Sequence, residues 1–304
     1  MSSKFTAKDV QELRKKTGVG IMECKTALKE ADGDFEEAFS ILRKKGAAKA
    51  AKKADRIAAE GLVLTKIENN VGVIVEINSE TDFVSKNERF KNFANKVSNV
   101  ILLKNPKSLE ELNELKISED SEITVEKALQ EEILAIGENL KIRRFVRLTG
   151  NLISYIHGEG KIAVLVKFND EVDLNNQEFV EYAKNIAMQI AATNPQYLKP
   201  EEIPESVLNE ENEILKQQII NSGKPSNIAD KIVKGKINKF YKDVCLLNQE
   251  YVKDSKQDVK SYTEEVSKKL NMKIEILKFV RMEKGEGIEK KSNDFGDEVY
   301  SMIN

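Results

Sequence analysis

The sequence predicts an α+β protein: a three-helix N-terminal segment, a duplicated core of small antiparallel sheets packed with helices, an inserted antiparallel helical hairpin and a C-terminal helix. Three observations carry this prediction. Apolar spacing is helical over the first fifty residues and strand-like after Gly61, landmarks recur at a constant offset of 89 residues, and helical spacing returns over 204–244. At 304 residues the chain has room for about two domains.

The N-terminal helices are read from their caps. Thr6 stands as N-cap with Asp9 at the third helical position and Phe5 placed to staple onto Val10, and Gly18 stops the helix. A second helix runs from Gly20 through Cys24, Leu28 and Ala31. The third opens with Asp34 and Glu37 as a capping box, carries Ala38, Ile41 and Leu42, and is expected to close at Gly46. Residues 43–56 hold seven basic side chains and one acidic, and read as an Ala-rich helix or a linker.

The core begins with Val- and Ile-rich runs at 61–68 and 71–79, joined by Asn69-Asn70, a pair that tolerates the positive φ of a tight hairpin. Ser85 and Glu88 suggest a capping box for a helix bearing Phe90, Phe93, Val97 and Ile101. The order then repeats: strands at 152–156 and 162–168 around a turn at 157–160, and a helix with Phe179, Tyr182, Ile186 and Ile190. Gly61 and Gly150, Phe90 and Phe179, Ala94 and Ala183, and Val97 and Ile186 share the 89-residue offset, as two duplicated units would. Each unit has a further candidate strand, at 140–148 and 273–281. Between them, helices over 204–221 and 226–244 place Val207, Leu208, Ile214, Leu215, Ile228, Ile232, Ile237, Phe240 and Val244 along a two-helix seam. Phe295, Val299 and Ile303 mark an amphipathic helix over 293–304.

Composition excludes several function classes. No run reaches the 18 to 20 apolar residues of a membrane helix, and the N-terminus lacks the apolar stretch of a signal peptide, so a cytoplasmic chain without a membrane partner is expected. Two cysteines, Cys24 and Cys245, are too few for a disulfide framework or a Cys-based zinc site. The single histidine, His157, removes paired-His metal chemistry, and the expectation is no metal, no cofactor and no catalytic residue. The 49 basic residues nearly cancel the 51 acidic ones, so nucleic-acid binding would have to be local. The run at 43–56 is the place for it, in an RNA- or ribosome-binding alternative, although no aromatic side chain is interleaved there to stack on bases. A hydrolase built on His157 lacks a nucleophile elbow.

Other signals point to a contact surface. Val19, Ile21 and Met22 sit where the chain turns between helices, serving either core packing or, if exposed, an adaptable partner surface. Ser79-Glu80-Thr81-Asp82-Phe83-Val84 puts a carboxylate and a large aromatic in a short strand-to-helix connection; burial of Phe83 is the alternative.

Four ordered segments, Thr17-Gly18-Val19-Gly20-Ile21-Met22-Glu23-Cys24-Lys25-Thr26-Ala27-Leu28, Thr81-Asp82-Phe83-Val84, Ser154-Tyr155-Ile156-His157-Gly158 and Gly285-Glu286-Gly287-Ile288-Glu289-Lys290, resemble the bacterial translation elongation factor Ts family. Members are guanine-nucleotide exchange factors of elongation factor Tu. The resemblance implies a ubiquitin-associated-like helical domain over 1–54, core units over 55–149 and over 150–197 with 247–281, a coiled-coil or dimerisation hairpin over 198–246, and a C-terminal module over 282–304. It further implies that Thr81, Asp82, Phe83 and Val84 approach the partner's nucleotide site and help dislodge magnesium, with His157, Ile21 and Met22 as other contacts. Ile21 stands where some members have Met, and 103–122 looks less like the family. Implied partners are GDP-bound elongation factor Tu and, through the ternary complex, transfer RNA; a homodimer or a heterotetramer is compatible with the resemblance.

Overall fold

A computed structural model describes residues 4–221 and 226–289 of the chain, and the side chains at 220 and 226–231 fall outside the description. The helix expected over 293–304 therefore lies outside the described residues, as does the side chain of the seam residue Ile228.

The first helix, α1 (Ala7–Thr17), starts as its cap requires: the Asp9 amide donates to Thr6 Oγ1 while Asp9 Oδ2 accepts the Thr6 amide at 2.7 Å. Gly18, at φ 72°, ends it in the left-handed conformation that a side chain resists. Helices α2 (Ile21–Glu30) and α3 (Phe35–Lys53) complete a small core around Leu13, Leu28 and Leu42, with Phe5 packed on the cluster that holds Val10. Asp34 caps α3 in one direction only, accepting the Glu37 amide at 2.8 Å.

The first sheet begins with β1 (Glu60–Glu68) and β2 (Val71–Ser79), joined through Asn69 and Asn70 at φ 49° and 59°. Next come α4 (Asp82–Ser85), α5 (Glu88–Lys104), α6 (Leu109–Glu114), α7 (Val125–Ile136) and β3 (Lys141–Thr149), which pairs antiparallel with β2. Phe90, Phe93, Val97 and Ile101 of α5 bury against Val73, Val75 and Ile77 of β2. The expected Ser85–Glu88 capping box is not formed. Asn87 caps α5 instead, accepting the Arg89 amide at 2.8 Å, while Ser85 belongs to α4 and donates to the Asp82 carbonyl at 2.6 Å.

Gly46 does not close α3. The Ala-rich sequence beyond it favours the helix, which runs on to Lys53. The glycine has a packing role: a Cβ there would stand 3.2 Å from the Gln130 carbonyl of α7, and its absence lets the two helices lie close.

The second sheet comprises β4 (Asn151–His157), β5 (Ile162–Phe168) and, late in the chain, β8 (Ile276–Glu283), in the order β4-β5-β8. Its third strand starts three residues later than the sequence suggested. Between them lie α8 (Gln177–Thr193), α9 (Glu205–Asn221), α10 (Ser226–Val244), a small β6 (Glu250–Tyr251) and β7 (Asp254–Asp258) hairpin, and α11 (Val259–Leu270). In the α9–α10 hairpin Leu215, Ile219 and Val233 are buried, whereas Ile214, expected in the seam, is 45% exposed.

The two sheets match in detail. Gly61 and Gly150 have φ 116° and 118°, Asn87 and Asn176 cap the main helices, and Asn105 and Asn194 end them in left-handed conformation. In each unit an arginine on the third strand donates to a carbonyl near the helix end, Arg147 to Leu102 at 3.2 Å and Arg281 to Ala191 at 3.4 Å. The sheets pack face to face through Val63, Ile74, Leu152, Leu165 and Met282, with α5 and α8 on the outer faces. Their contact includes a charge. Fully buried Glu76 on β2 accepts Arg143 Nη1 at 3.0 Å, Arg144 Nε at 2.6 Å and the Gly285 amide at 2.7 Å, tying the turn after β8 to the first sheet.

Candidate functional site

Where β2 ends, Ser79 Oγ donates to the Thr81 carbonyl at 2.8 Å and turns the chain into α4. This short helix exposes one apolar side chain and buries the next. Val84, 7% exposed, joins the core under α5, while Phe83 is 78% exposed, the most of any large apolar side chain among the described residues. Exposure costs the free protein roughly the 1.5–3 kcal/mol that burial of such a ring would return, so an unpartnered Phe on an anchored turn reads as a docking element. Asp82 beside it pairs with Lys86, at 3.1 Å and in solvent. Such a pair contributes little, so the carboxylate can change partners.

The other expected contacts separate into a near patch and a second point. Met22 is 68% exposed and Ile21 is exposed with it, in the first turn of α2, where Gly20 supplies no side-chain cap. Gly18 lies so close to the Arg89 guanidinium that a Cβ would collide with it, which seats the α1–α2 turn beside the start of α5, a few residues beyond Phe83. Val19, in contrast, is buried in the helical core. His157 closes β4 and is exposed, its Nδ1 3.1 Å from the Tyr155 hydroxyl. The turn after it rests on β1, with the Val63 amide donating to the Gly160 carbonyl at 2.8 Å, close to the end of β1 where Glu60 pairs with Ser79.

Sequence reasoning missed the supports. Glu138, just beyond α7, accepts both the amide and the hydroxyl of Thr81, and Glu80 accepts the Asn139 amide at 2.6 Å. Their only sequence signal is Gly137, whose φ of 90° ends α7. The arrangement offers shape, one exposed aromatic ring and one solvent-facing carboxylate.

Comparison with known proteins gives the family. The family model described as elongation factor TS matches residues 80–286. Among similar proteins, the elongation factor Ts of Clostridium novyi (strain NT) is 47% identical, covering 98% of this chain and 99% of its own. That of Clostridium kluyveri is 48% identical with the same coverage, and that of Trichlorobacter lovleyi is 46% identical over 97% of each chain. With a match running from the Thr81 loop to the Glu286 turn and near-half identity along almost all of its length, the chain belongs to the elongation factor Ts family.

Proposed function

We propose that the chain is a guanine-nucleotide exchange factor that binds elongation factor Tu and speeds GDP release by disturbing its magnesium and phosphate site. The observation that carries this reading is Phe83, held in solvent by a turn whose neighbours on both sides are fixed. A GTPase grips GDP through phosphate contacts and a magnesium ion. A protein that binds better to the state with those contacts broken shifts the partner toward it without any covalent step. Burial of Phe83 in the partner supplies roughly 1.5–3 kcal/mol, and Asp82, released from Lys86, reorganises polar groups around the metal. Ile21, Met22 and His157 add binding at other points of the same surface, and Thr81 and Val84 serve as the loop's anchors.

The family membership and the site geometry support this reading together. The RNA-binding alternative gains no such support. Of the seven basic side chains in 43–56, Arg43, Lys45, Lys49 and Arg56 pair with Glu131, Glu30, Glu23 and Glu80, and Lys53 donates to the Gly137 carbonyl. The glutamates beside them balance much of the local charge, so the run is not the unbalanced positive stripe that tracks phosphates.

Release of a fluorescent GDP analogue from elongation factor Tu, followed with and without the chain, tests the proposal. Acceleration that saturates with factor concentration is expected; an unchanged rate overturns it.

A further inference from the structure

Phe83 is mostly in solvent and Asp82 pairs with Lys86 in solvent, so the residues on either side do most to set their direction. On one side Val84 sits in the core, an apolar and non-directional anchor. On the other, Thr81 is held by a directional one. Glu138 Oε2 accepts the Thr81 amide at 2.9 Å, and Glu138 Oε1 accepts the Thr81 hydroxyl at 2.6 Å. The latch is reciprocal, since Glu80 Oε1 accepts the Asn139 amide at 2.6 Å. Buried Asn139 donates in turn to the Arg56 carbonyl at 2.8 Å, and Lys53 at the end of α3 donates to the Gly137 carbonyl. Residues 137–139 thus join the end of α7, the segment leaving α3 and the Thr81 turn at one point.

We propose that Glu138 is the positioning residue of the exchange loop: by gripping Thr81 at its amide and its hydroxyl it fixes the direction in which α4 presents Asp82 and Phe83. The inference rests on the exchange-factor reading above. A loop free to swing would lose that freedom on docking, and the loss would be charged against exchange. A loop already latched avoids it. Two hydrogen bonds to a carboxylate, one from a backbone N–H, are the charge-assisted kind that holds geometry. Glu138 touches neither nucleotide nor metal on this reading, and its effect passes through Asp82 and Phe83.

The test uses the full chain with Glu138→Ala, Glu138→Gln and Phe83→Ala, and with Glu138→Ala combined with Phe83→Ala. Fluorescent-GDP release from elongation factor Tu is measured against factor concentration. Glu138→Ala is expected to lower the saturating rate at least about threefold and to move the half-saturating concentration less than about twofold, because the remaining contacts still bind. Glu138→Gln keeps one acceptor for Thr81 and should fall between Ala and the unaltered chain. In the Phe83→Ala background, Glu138→Ala should cost at most about half the fold-change it costs in the unaltered chain, as expected of coupled residues, the remainder passing through Asp82. Equal losses in both backgrounds, or no loss in either, overturn the proposal.

Amide hydrogen exchange on the free protein supplies a readout independent of the partner. Glu138→Ala should speed exchange over 80–86 and leave 90–102 protected. If the unaltered chain fails to accelerate GDP release, the exchange reading falls, and hydrogen exchange alone decides the latch: unchanged protection over 80–86 overturns it.

Discussion

Phe83 and Val84 are adjacent, both apolar, and destined for opposite environments, which makes them a test of the site at the scale of one side chain. Phe83→Ala removes a ring that the free protein leaves in water, so its melting should stay within about 0.5 kcal/mol of the unaltered chain. Catalysed GDP release should slow at least several-fold in stopped-flow measurements; full activity in the folded variant would remove Phe83 from the site. Val84→Ala should behave differently, costing about 1–2 kcal/mol in urea denaturation because it hollows the core under α5. Sequence placed both residues in the strand-to-helix connection but could not say which one faces water, since that depends on where the turn starts. That start is tied to a partner 57 residues away, Glu138, which holds Thr81. Glu76 offers a second residue-scale test. Burial opposes its ionisation, but hydrogen bonds from the Gly285 amide, Asn78, Arg143 and Arg144 outweigh that and hold its carboxyl below the usual range. A lowered folded-state value means stability that is present above the unfolded carboxyl value of about 4.3 and lost as pH falls through the folded one. Glu76→Gln should therefore cost roughly 2 kcal/mol at pH 7, with the gap to the unaltered chain narrowing in acid. A gap that widens below about pH 4 would contradict the assignment.

Among the elements, the α9–α10 hairpin is the most separable, yet its roots are not. Leu198 and Leu246 are buried in the core of the second sheet, and the Tyr197 carbonyl accepts the Leu246 amide at 2.9 Å. A shortening inside 205–242 that leaves these roots should preserve cooperative unfolding of the core, as an arm with its own buried seam allows. Calorimetry of such a variant checks this, and loss of the core transition would show the arm to be integral. What could be read from sequence at this scale was whatever short-range chemistry dictates: Thr6 and Asp9 as a box, Asn69-Asn70 as a turn, Gly18 as a stop, and apolar spacing for α5 and α8. What could not was governed by distant packing. Gly46 carries the local signature of a helix end, and only the approach of α7 shows its use in the middle of α3. Sequence offers no assignment for α6, α7 or the β6–β7 hairpin: α6 lies inside the 103–122 stretch that looks less like the family, α7 follows directly after it, and the hairpin is too short to set a period of its own.

For the whole molecule, the proposed function fixes a thermodynamic symmetry. If the chain weakens the hold of elongation factor Tu on GDP by some factor, GDP must weaken the hold on the chain by the same factor. Titration calorimetry with and without saturating GDP and magnesium should show a marked loss of affinity when nucleotide is present; equal affinities would leave no coupling and refute exchange. The path of α3 bears on how that release proceeds. Because the helix continues past Gly46 and lies along α7, the surface bearing Met22 and the turn bearing Phe83 belong to one stiff body and not to two tethered ones. If both are contacts, as proposed, then once either has landed the other meets the partner at an effective concentration set by rigid geometry, without the dilution a swinging linker imposes. On that reading a partner state that fits one of the two surfaces poorly strains the other as well, because the body between them does not flex to absorb the misfit.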